Sequence, residues 1–425
     1  MRTIFDRRAG PTALTILTLG FAWAAPPAMA AALTLDDAQR IALERDVGRS
    51  ALEAESSAMR DMAVAAGQLP DPEARVGAVN VPTDSFSLDA VDMTMLEVGV
   101  MQRFPAGQTR ELSRSGYESR ALGSDAEARN RDRRVRLEVE RSWRELDYID
   151  QSLALLADEA GWVEALVKGA EAAYAAGEGA QTELLDARLL ALEIEERQID
   201  VERERDMARA ELARWIGDAA FGERAAAADP SPTRLPPLET MLERLDRHPM
   251  LQSLDYARDV AVNEADLAAE RYKPSFGVDV SYGFRQGSMN GEARPDLLTA
   301  MLTFDVPLFT RSRQDREAGA ARSQARAAQA RRTDLARELE ASLRAQYSRV
   351  LRLGSIVDLY ESRIQRLAGV SVEAALASYR TSGGSLSDVV GTERRVLDVR
   401  DRLTKARKDR AIALAEISYL AGDAP

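Results

Sequence analysis

The stretch SFGVDVSYGF, residues 275–284, alternates without a break: Phe276, Val278, Val280, Tyr282 and Phe284 on one parity, Ser275, Gly277, Asp279, Ser281 and Gly283 on the other. Side chains along a strand point to opposite faces in turn, so this pattern predicts a strand with one apolar and one polar face. A second run comes soon after, in which Leu298, Ala300, Leu302, Phe304 and Val306 alternate with Thr299, Met301, Thr303 and Asp305. Earlier in the chain Leu96, Val98 and Val100 alternate with Glu97, Gly99 and Met101, and Glu73 to Val81 reads as a poorer strand of mixed parity. Strands are therefore expected at about 73–81, 93–103, 275–285 and 297–306.

Everything around these runs reads as helix. Among 425 residues, 30% are charged and 5% aromatic, the bias of long paired helices. Gln108 to Ala176 contains no proline and, at 1.5 Å per residue, could extend about 100 Å. Val350, Leu353, Val357, Tyr360, Ile364 and Leu367 step by three and four residues, predicting a heptad seam. Leu185, Leu189, Leu192 and Ile199 form a weaker stripe of similar period. The helical stretches Leu33–Gln68 and Leu238–Tyr272 each stop at prolines, Pro70 and Pro72 or Pro274, whose rings clash with a continuing helix. Glycine-containing turns, Gly177-Glu178-Gly179 and Gly383-Gly384-Ser385, are placed to reverse the two long helical hairpins.

The chain is written twice. Tyr174–Gly217 aligns without a gap on Tyr379–Gly422, sharing among others Gly179/Gly384, Leu192/Leu397, Arg205/Arg410, Glu211/Glu416 and Gly217/Gly422. This gives an organisation of a first structural repeat at 31–217, with its hairpin at about 108–217, and a proline-rich linker at 218–237. The second repeat spans 238–425, with its hairpin at about 311–422.

Residues 1–30 are expected to be a signal peptide: Arg2, Arg7 and Arg8 precede a short apolar run, and Ala28-Met29-Ala30 offers a cleavage site. No cysteine comes after it, so N-terminal lipidation is not expected, and disulfides, thiolate metal sites and cysteine nucleophiles are excluded. A formal net charge of −12 argues against nucleic-acid binding, which needs a basic surface. In an exported chain, strands of about ten residues fit the length needed to cross a bilayer when tilted. Hydrocarbon leaves no backbone polar group unpaired, and four strands cannot close a barrel, since small barrels use about eight. The chain must then pool its strands with copies of itself; two, three or four copies would each add strands.

This arrangement resembles the TolC family of outer-membrane efflux ducts from about Leu33 to Gly422. The resemblance rests on Tyr174, Gly177, Leu184, Leu185, Asp186 and Ala187 around the first hairpin turn and on Leu212 and Gly217 at its close. It also rests on Leu69-Pro70 and Lys273-Pro274, and on the strand exits Gln102-Arg103-Phe104-Pro105 and Val306-Pro307-Leu308-Phe309. The first strand pair looks most like members that accompany heavy-metal exporters of the resistance-nodulation-division (RND) class. The resemblance implies a fold that is mainly α with a β-barrel portion, built from a duplicated helix-strand-strand-long helical hairpin. It implies a homotrimer whose twelve-stranded barrel in outer-membrane lipid continues into a twelve-helix periplasmic α-barrel. It further implies a periplasmic adaptor (membrane fusion protein) and an inner-membrane RND-type pump docking at the hairpin turns Gly177, Glu178, Gly179, Gly383, Gly384 and Ser385. Carboxylates after the second turn ring the constriction in that family; Asp388 holds the first such position, Gly391 departs at the second, and Glu183 and Asp186 hold the first-copy positions. Each could equally be a carboxylate favoured by the helix dipole near an N-terminus.

The single histidine, His248, precedes Pro249 at a helix start and reads as structural. Met93, Met95 and Met101 read as packing residues, with soft-metal handling as the alternative. Tyr272, Phe276, Tyr282, Phe284, Phe304 and Phe309 near strand ends suggest an interfacial aromatic belt. With one His and no Cys, catalytic constellations have little material; no enzyme activity, cofactor or resident metal is expected. The reading is a passive exit duct, with heavy-metal cations as candidate cargo. The competing reading is a trimeric coiled-coil surface adhesin or periplasmic scaffold, whose strands would gather at one terminus.

Overall fold

The computed structural model describes residues 32–225, 235–287, 291–381 and 384–421; the expected signal peptide, Gly383 and Gly422 lie outside them. The first helical stretch is two helices, α1 (Leu35–Arg45) and α2 (Val47–Ala66), broken at Asp46. Asp46 caps α2 by accepting from the backbone N–H groups of Gly48 and Arg49, and the Arg131 guanidinium grips it through two bonds of 2.9 Å. The break is therefore a fixed joint. Strands β1 (Glu73–Val79) and β2 (Met95–Phe104) come next, then α3 (Thr109–Ala175), whose 67 residues make a rod about 100 Å long. The return helix is α4 (Gln181–Ile216).

The second half repeats the plan with α5 (Leu238–Leu245), α6 (Pro249–Glu270), β3 (Ser275–Phe284) and β4 (Leu297–Asp305). Its hairpin comprises α7 (Gln314–Leu359), a π-helical turn at Tyr360–Ile364, α8 (Gln365–Arg380) and the return helix α9 (Leu386–Ala421). All four strands join one antiparallel sheet in the order β1-β2-β3-β4, so the halves meet through β2 and β3, while β1 and β4 keep a free edge each.

Two equivalent cores hold the shaft. Ala38 and Ala42 of α1 pack with Val135, Val139, Trp143 and Leu146 of α3 and with Leu212 and Ile216 of α4. In the second half Met241, Leu245 and Leu251 pack with Leu339, Leu343 and Val350 of α7 and with Ile417, Leu420 and Ala421 of α9. The sequence offset of 205 carries Leu212 onto Ile417 and Ile216 onto Ala421, and each pair occupies the same place in its own core. The start of the expected linker belongs to the first core. A 3-10 turn at Gly217–Phe221 buries Ala220, Arg224 bridges to Leu33, and the Arg224 guanidinium lies 4.9 Å from the centre of the Trp143 ring.

Two expected apolar seams are only partly buried within the protomer. On α7 the seam holds at Val350 and Val357, which are buried, but Leu367 beyond the π turn is 70% exposed and α8 buries no residue fully. A π turn inserts an extra residue into the helix and rotates the next turns about the axis, so a heptad pattern read through it loses register. On α4 the residues facing the hairpin partner are Leu184, Ala187, Leu190 and Ile194. The stripe of Leu185, Leu189, Leu192 and Ile199 points away from the protomer, each at least 54% exposed.

Candidate functional site: the sheet faces and the hairpin tips

The sheet inverts the usual distribution of side chains. Its rows Val76–Val98–Tyr282–Leu298, Val100–Val280–Ala300 and Phe104–Phe276–Phe304 lie on one face, and the larger of these residues are widely exposed: Val76 at 82%, Leu298 at 73%, Phe304 at 58% and Val100 at 52%. Asp279 and Ser281, by contrast, are 4% exposed on the opposite face. That face carries the rows Glu73–Met101–Asp279–Met301 and Arg75–Gly99–Ser281–Thr299. Arg75 reaches Asp279 at 2.5 Å and Glu97 at 3.8 Å, closing a polar network where a water-soluble sheet would have its core. Gly99 is required there: a Cβ on it would stand 2.8 Å from the Ser281 Cβ. Large apolar side chains are worth about 1.5–3 kcal/mol each when removed from water, so leaving this face wet would cost on the order of ten kcal/mol or more. Patches of this size mark membrane or protein contact.

The hairpin tips form the opposite end. At the first turn Gly177 takes φ +76°, and the N–H groups of Glu178 and Gly179 both donate to the Ala173 carbonyl, 2.9 and 3.0 Å. The positive φ favours glycine at 177, and a Cβ on Gly179 would lie a tight 3.1 Å from that of Ala173. At the second turn Gly384 packs equally closely, an added Cβ meeting the Ser378 hydroxyl at 2.9 Å. Ser385 and Asp388 then form a capping box: the Ser385 hydroxyl donates to Asp388 Oδ2 at 2.7 Å, its N–H donates to the same oxygen at 3.1 Å, and the Asp388 N–H donates back to Ser385 Oγ at 3.2 Å. The hydroxyl bond, then the backbone bond, hold the Asp388 carboxyl below the usual carboxylate range.

The structure brings Glu183, Asp186 and Ser385 together along one cleft of about 270 Å³, floored by Leu166, Leu190 and Val390. Arg394 of α9 closes it with a 2.5 Å ion pair to Glu193 of α4. Asp388 does not line this cleft; it is exposed near the start of α9.

Between tips and sheet, a polar ladder joins the halves. Arg141 pairs with Glu416, Glu145 with Lys408 at 2.9 Å, and Tyr148 and Ser152 both donate to Asp401 at 3.1 Å. Burial, with Asp401 beside it, pushes the Tyr148 hydroxyl up to about 12. Further along α3, Glu159 is 6% exposed, and burial raises its carboxyl despite the nearby Arg197 and Arg394. Sequence reading missed this ladder. Its one available signal was the spacing Leu156, Glu159, Val163, which puts a carboxylate in a heptad core position. His248 caps α6, accepting from the Met250 N–H at 3.3 Å, with its other ring nitrogen 3.2 Å from the Tyr419 carbonyl; burial depresses it to about 4. Among the described residues no group of His, Asp and Glu could hold a metal ion, and no helix is long and apolar enough to cross a membrane.

An exposed apolar sheet face thus adjoins a long helical shaft. The chain's second half matches a family of efflux proteins. Residues 242–423 fit the family described as Outer membrane efflux protein. Among solved structures, a membrane protein from Pseudomonas aeruginosa superposes with a TM-score of 0.79 at 16% identity, covering 91% of this chain and 92% of its own. The outer membrane protein VceC from Vibrio cholerae gives 0.78 at 14% identity over 91% and 96% of the two chains. CusC, described in terms of folding and transmembrane channel formation, gives 0.77 at 13% identity over 92% of each. The fold is thus that of these outer-membrane channel proteins, a mostly helical chain with a small sheet. No curated protein matches the chain in sequence. The matched family and structures are efflux and channel proteins rather than enzymes.

Proposed function

We propose that the chain is one protomer of a trimeric outer-membrane exit duct, passively conducting substrates from an inner-membrane RND-type pump and a periplasmic adaptor to the exterior. The observation that carries this reading is the inverted sheet. Its apolar face is suited to hydrocarbon, its polar face to water, and its edges β1 and β4 lack partners. Three copies joined edge to edge supply twelve strands and pair both edges of each. Export to the outer membrane, with the helical shaft in the periplasm, is the placement this geometry favours.

In that assembly the exposed stripe of Leu185, Leu189, Leu192 and Ile199 meets the neighbouring copy, and the turns Gly177–Gly179 and Gly384–Ser385 form the end that the adaptor contacts. Glu183 and Asp186 are proposed to narrow the passage with charge, a role supported by their lining a cleft at the hairpin tips. Asp388 joins them as a rim charge, its capping role notwithstanding. Heavy-metal cations are the proposed cargo class, supported by the likeness of the first strand pair and by the acidic groups Glu73, Glu97, Asp279 and Asp305 on the polar face. The adhesin reading loses its footing because β2 and β3 come from different halves and sit at the centre of one sheet.

The test is fractionation of cells, then electrophoresis of the unheated protein in mild detergent. A detergent-dependent trimer in the outer membrane is expected, and a soluble periplasmic monomer would end the proposal. Reconstituted in a planar bilayer, Asp388→Ala should alter conductance or its block by multivalent cations. An unchanged trace removes Asp388 from the passage.

A further inference from the structure

The chain leaves β4 through a strand exit whose arginines the duct reading does not use. Beyond Asp305 it runs Val306-Pro307-Leu308-Phe309, makes a 3-10 turn at Thr310–Ser312 and enters α7 at Gln314. Val306, Leu308 and Phe309 are 59%, 74% and 92% exposed, and Phe309 is the most exposed large apolar side chain among the described residues. The segment lies at the shaft end of the sheet, where Ser275 pairs with Asp305 and the Tyr272 hydroxyl donates to Asp315 at 2.7 Å. The row Phe104–Phe276–Phe304 is the last of the outward apolar face at that end. The apolar tip therefore borders the apolar face.

Directly after the tip the charge changes sign. Residues 306–316 hold Arg311, Arg313 and Arg316 against one carboxylate, Asp315, within a chain of formal net charge −12. Arg311 and Arg316 are exposed and have no side-chain partner among the described residues. The carboxylate nearest Arg313 is Glu317 at 3.9 Å, which Arg271 already engages at 2.7 Å. On the first-half exit, Arg110 touches only the Gly67 carbonyl, at 3.4 Å. An apolar tip with unpaired guanidinium groups immediately after it matches the boundary between acyl chains and phosphates, where the forked guanidinium meets phosphate oxygens in pairs.

Resting on the duct reading, we propose that residues 306–316 form a lipid-docking wedge: Leu308 and Phe309 enter the membrane leaflet on the shaft side, and Arg311, Arg313 and Arg316 bind the phosphate groups of anionic glycerophospholipids. Charge complementarity selects this occupant. A neighbouring copy could cover the apolar tip, but Arg311 and Arg316 next to it have no carboxylate partner among the described residues, and Arg313 has only the distant Glu317.

The test uses the full chain as the trimer purified in mild detergent and then placed in nanodiscs of phosphatidylcholine alone or mixed with phosphatidylglycerol. Lipid retained on the trimer is measured by native mass spectrometry for wild type and for the triple variant Arg311→Gln, Arg313→Gln, Arg316→Gln. Each basic group near an anionic surface contributes roughly fivefold in affinity, so the variant should lose its preference for phosphatidylglycerol by about tenfold or more, with trimer mobility unchanged. Equal retention by both proteins, or no preference in the wild type, would overturn the proposal. Because the chain has no cysteine, Phe309→Cys takes a single fluorophore, which brominated acyl chains should quench. An unquenched label in an intact trimer would show that another copy covers the tip, and would overturn it as well. A chain that forms no trimer fails before any lipid is measured, and that outcome removes the duct reading and the wedge together.

Discussion

The sheet and the helical shaft are built from similar apolar side chains set in opposite directions. In the shaft Trp143, Leu146, Leu212 and Leu343 are fully buried. In the sheet Asp279 and Ser281 are buried while Val98, Val280, Tyr282 and Leu298 face outward. On the duct reading one chain specifies two solvents, hydrocarbon around the strands and water around the helices. The hydrophobic term then stabilises the shaft within each protomer but would stabilise the sheet only once lipid and neighbouring copies surround it.

The largest effect should come from reversing the sheet's polarity. Val280→Arg places a guanidinium on the outward face in every copy, each costing about 2–4 kcal/mol near the bilayer midplane. Loss of the heat-sensitive trimer band is expected, whereas Thr299→Arg, on the polar parity, should still assemble. Equal behaviour of the two would erase the distinction between faces. In the shaft, Trp143→Ala removes the largest buried side chain and should cost about 3–5 kcal/mol, read as a lowered thermal midpoint of the helical circular dichroism signal. Membrane targeting should survive it.

Smaller effects sharpen the shaft side. Glu159 is buried without a hydrogen-bonded partner among the described residues and its carboxyl is raised, so folding at neutral pH opposes its charge. Glu159→Gln should raise the thermal midpoint by a few degrees at pH 7.5, and the gain should shrink as the medium is acidified and the wild-type carboxyl takes up its proton. His248 works in the other direction. Its folded value of about 4 lies below the ordinary value of 6.5, so the unfolded chain binds the proton first and stability falls as pH drops from 6.5 toward 4. Relative to wild type, His248→Gln should lose less stability between pH 7 and pH 5. The smallest effect is at the tip, where Ser385→Ala breaks the capping box and should cost about 1 kcal/mol.

How much of this was legible in the sequence also divides along the comparison. Strand β3 could be read residue by residue, because a period of two assigns each side chain to a face without reference to anything else. The face that meets solvent could not be read from the alternation alone; that needed the absence of an apolar cover in the surrounding helices. The helical stripes were less legible. Leu185, Leu189 and Leu192 have the same spacing as a packing seam, and nothing local says whether such a seam meets the partner of its own hairpin or another copy. The π turn at Tyr360–Ile364 has no sequence mark comparable to a proline, so the heptad count ran through it to Leu367. At the tips, the turn glycines were plain from composition. Asp388 carried two readings, and the capping box shows that the helix-start role is present whatever else the carboxylate does. The ladder from Arg141 to Glu416 joins residues far apart in sequence, and charge pairs at that separation leave no periodic trace.

The central claim is that alternate residues of β3 face different solvents, and the absence of cysteine makes it directly measurable. Single cysteines placed in turn at positions 276 to 284 in the membrane-embedded protein would be probed with a water-soluble thiol reagent and with brominated-chain lipids. The account predicts a period of two: cysteines replacing Phe276, Val278, Val280, Tyr282 and Phe284 quenched by lipid and slow toward the reagent, and those replacing Gly277, Asp279, Ser281 and Gly283 the reverse. Uniform reactivity along the strand, or protection of every position in a soluble monomer, would contradict it.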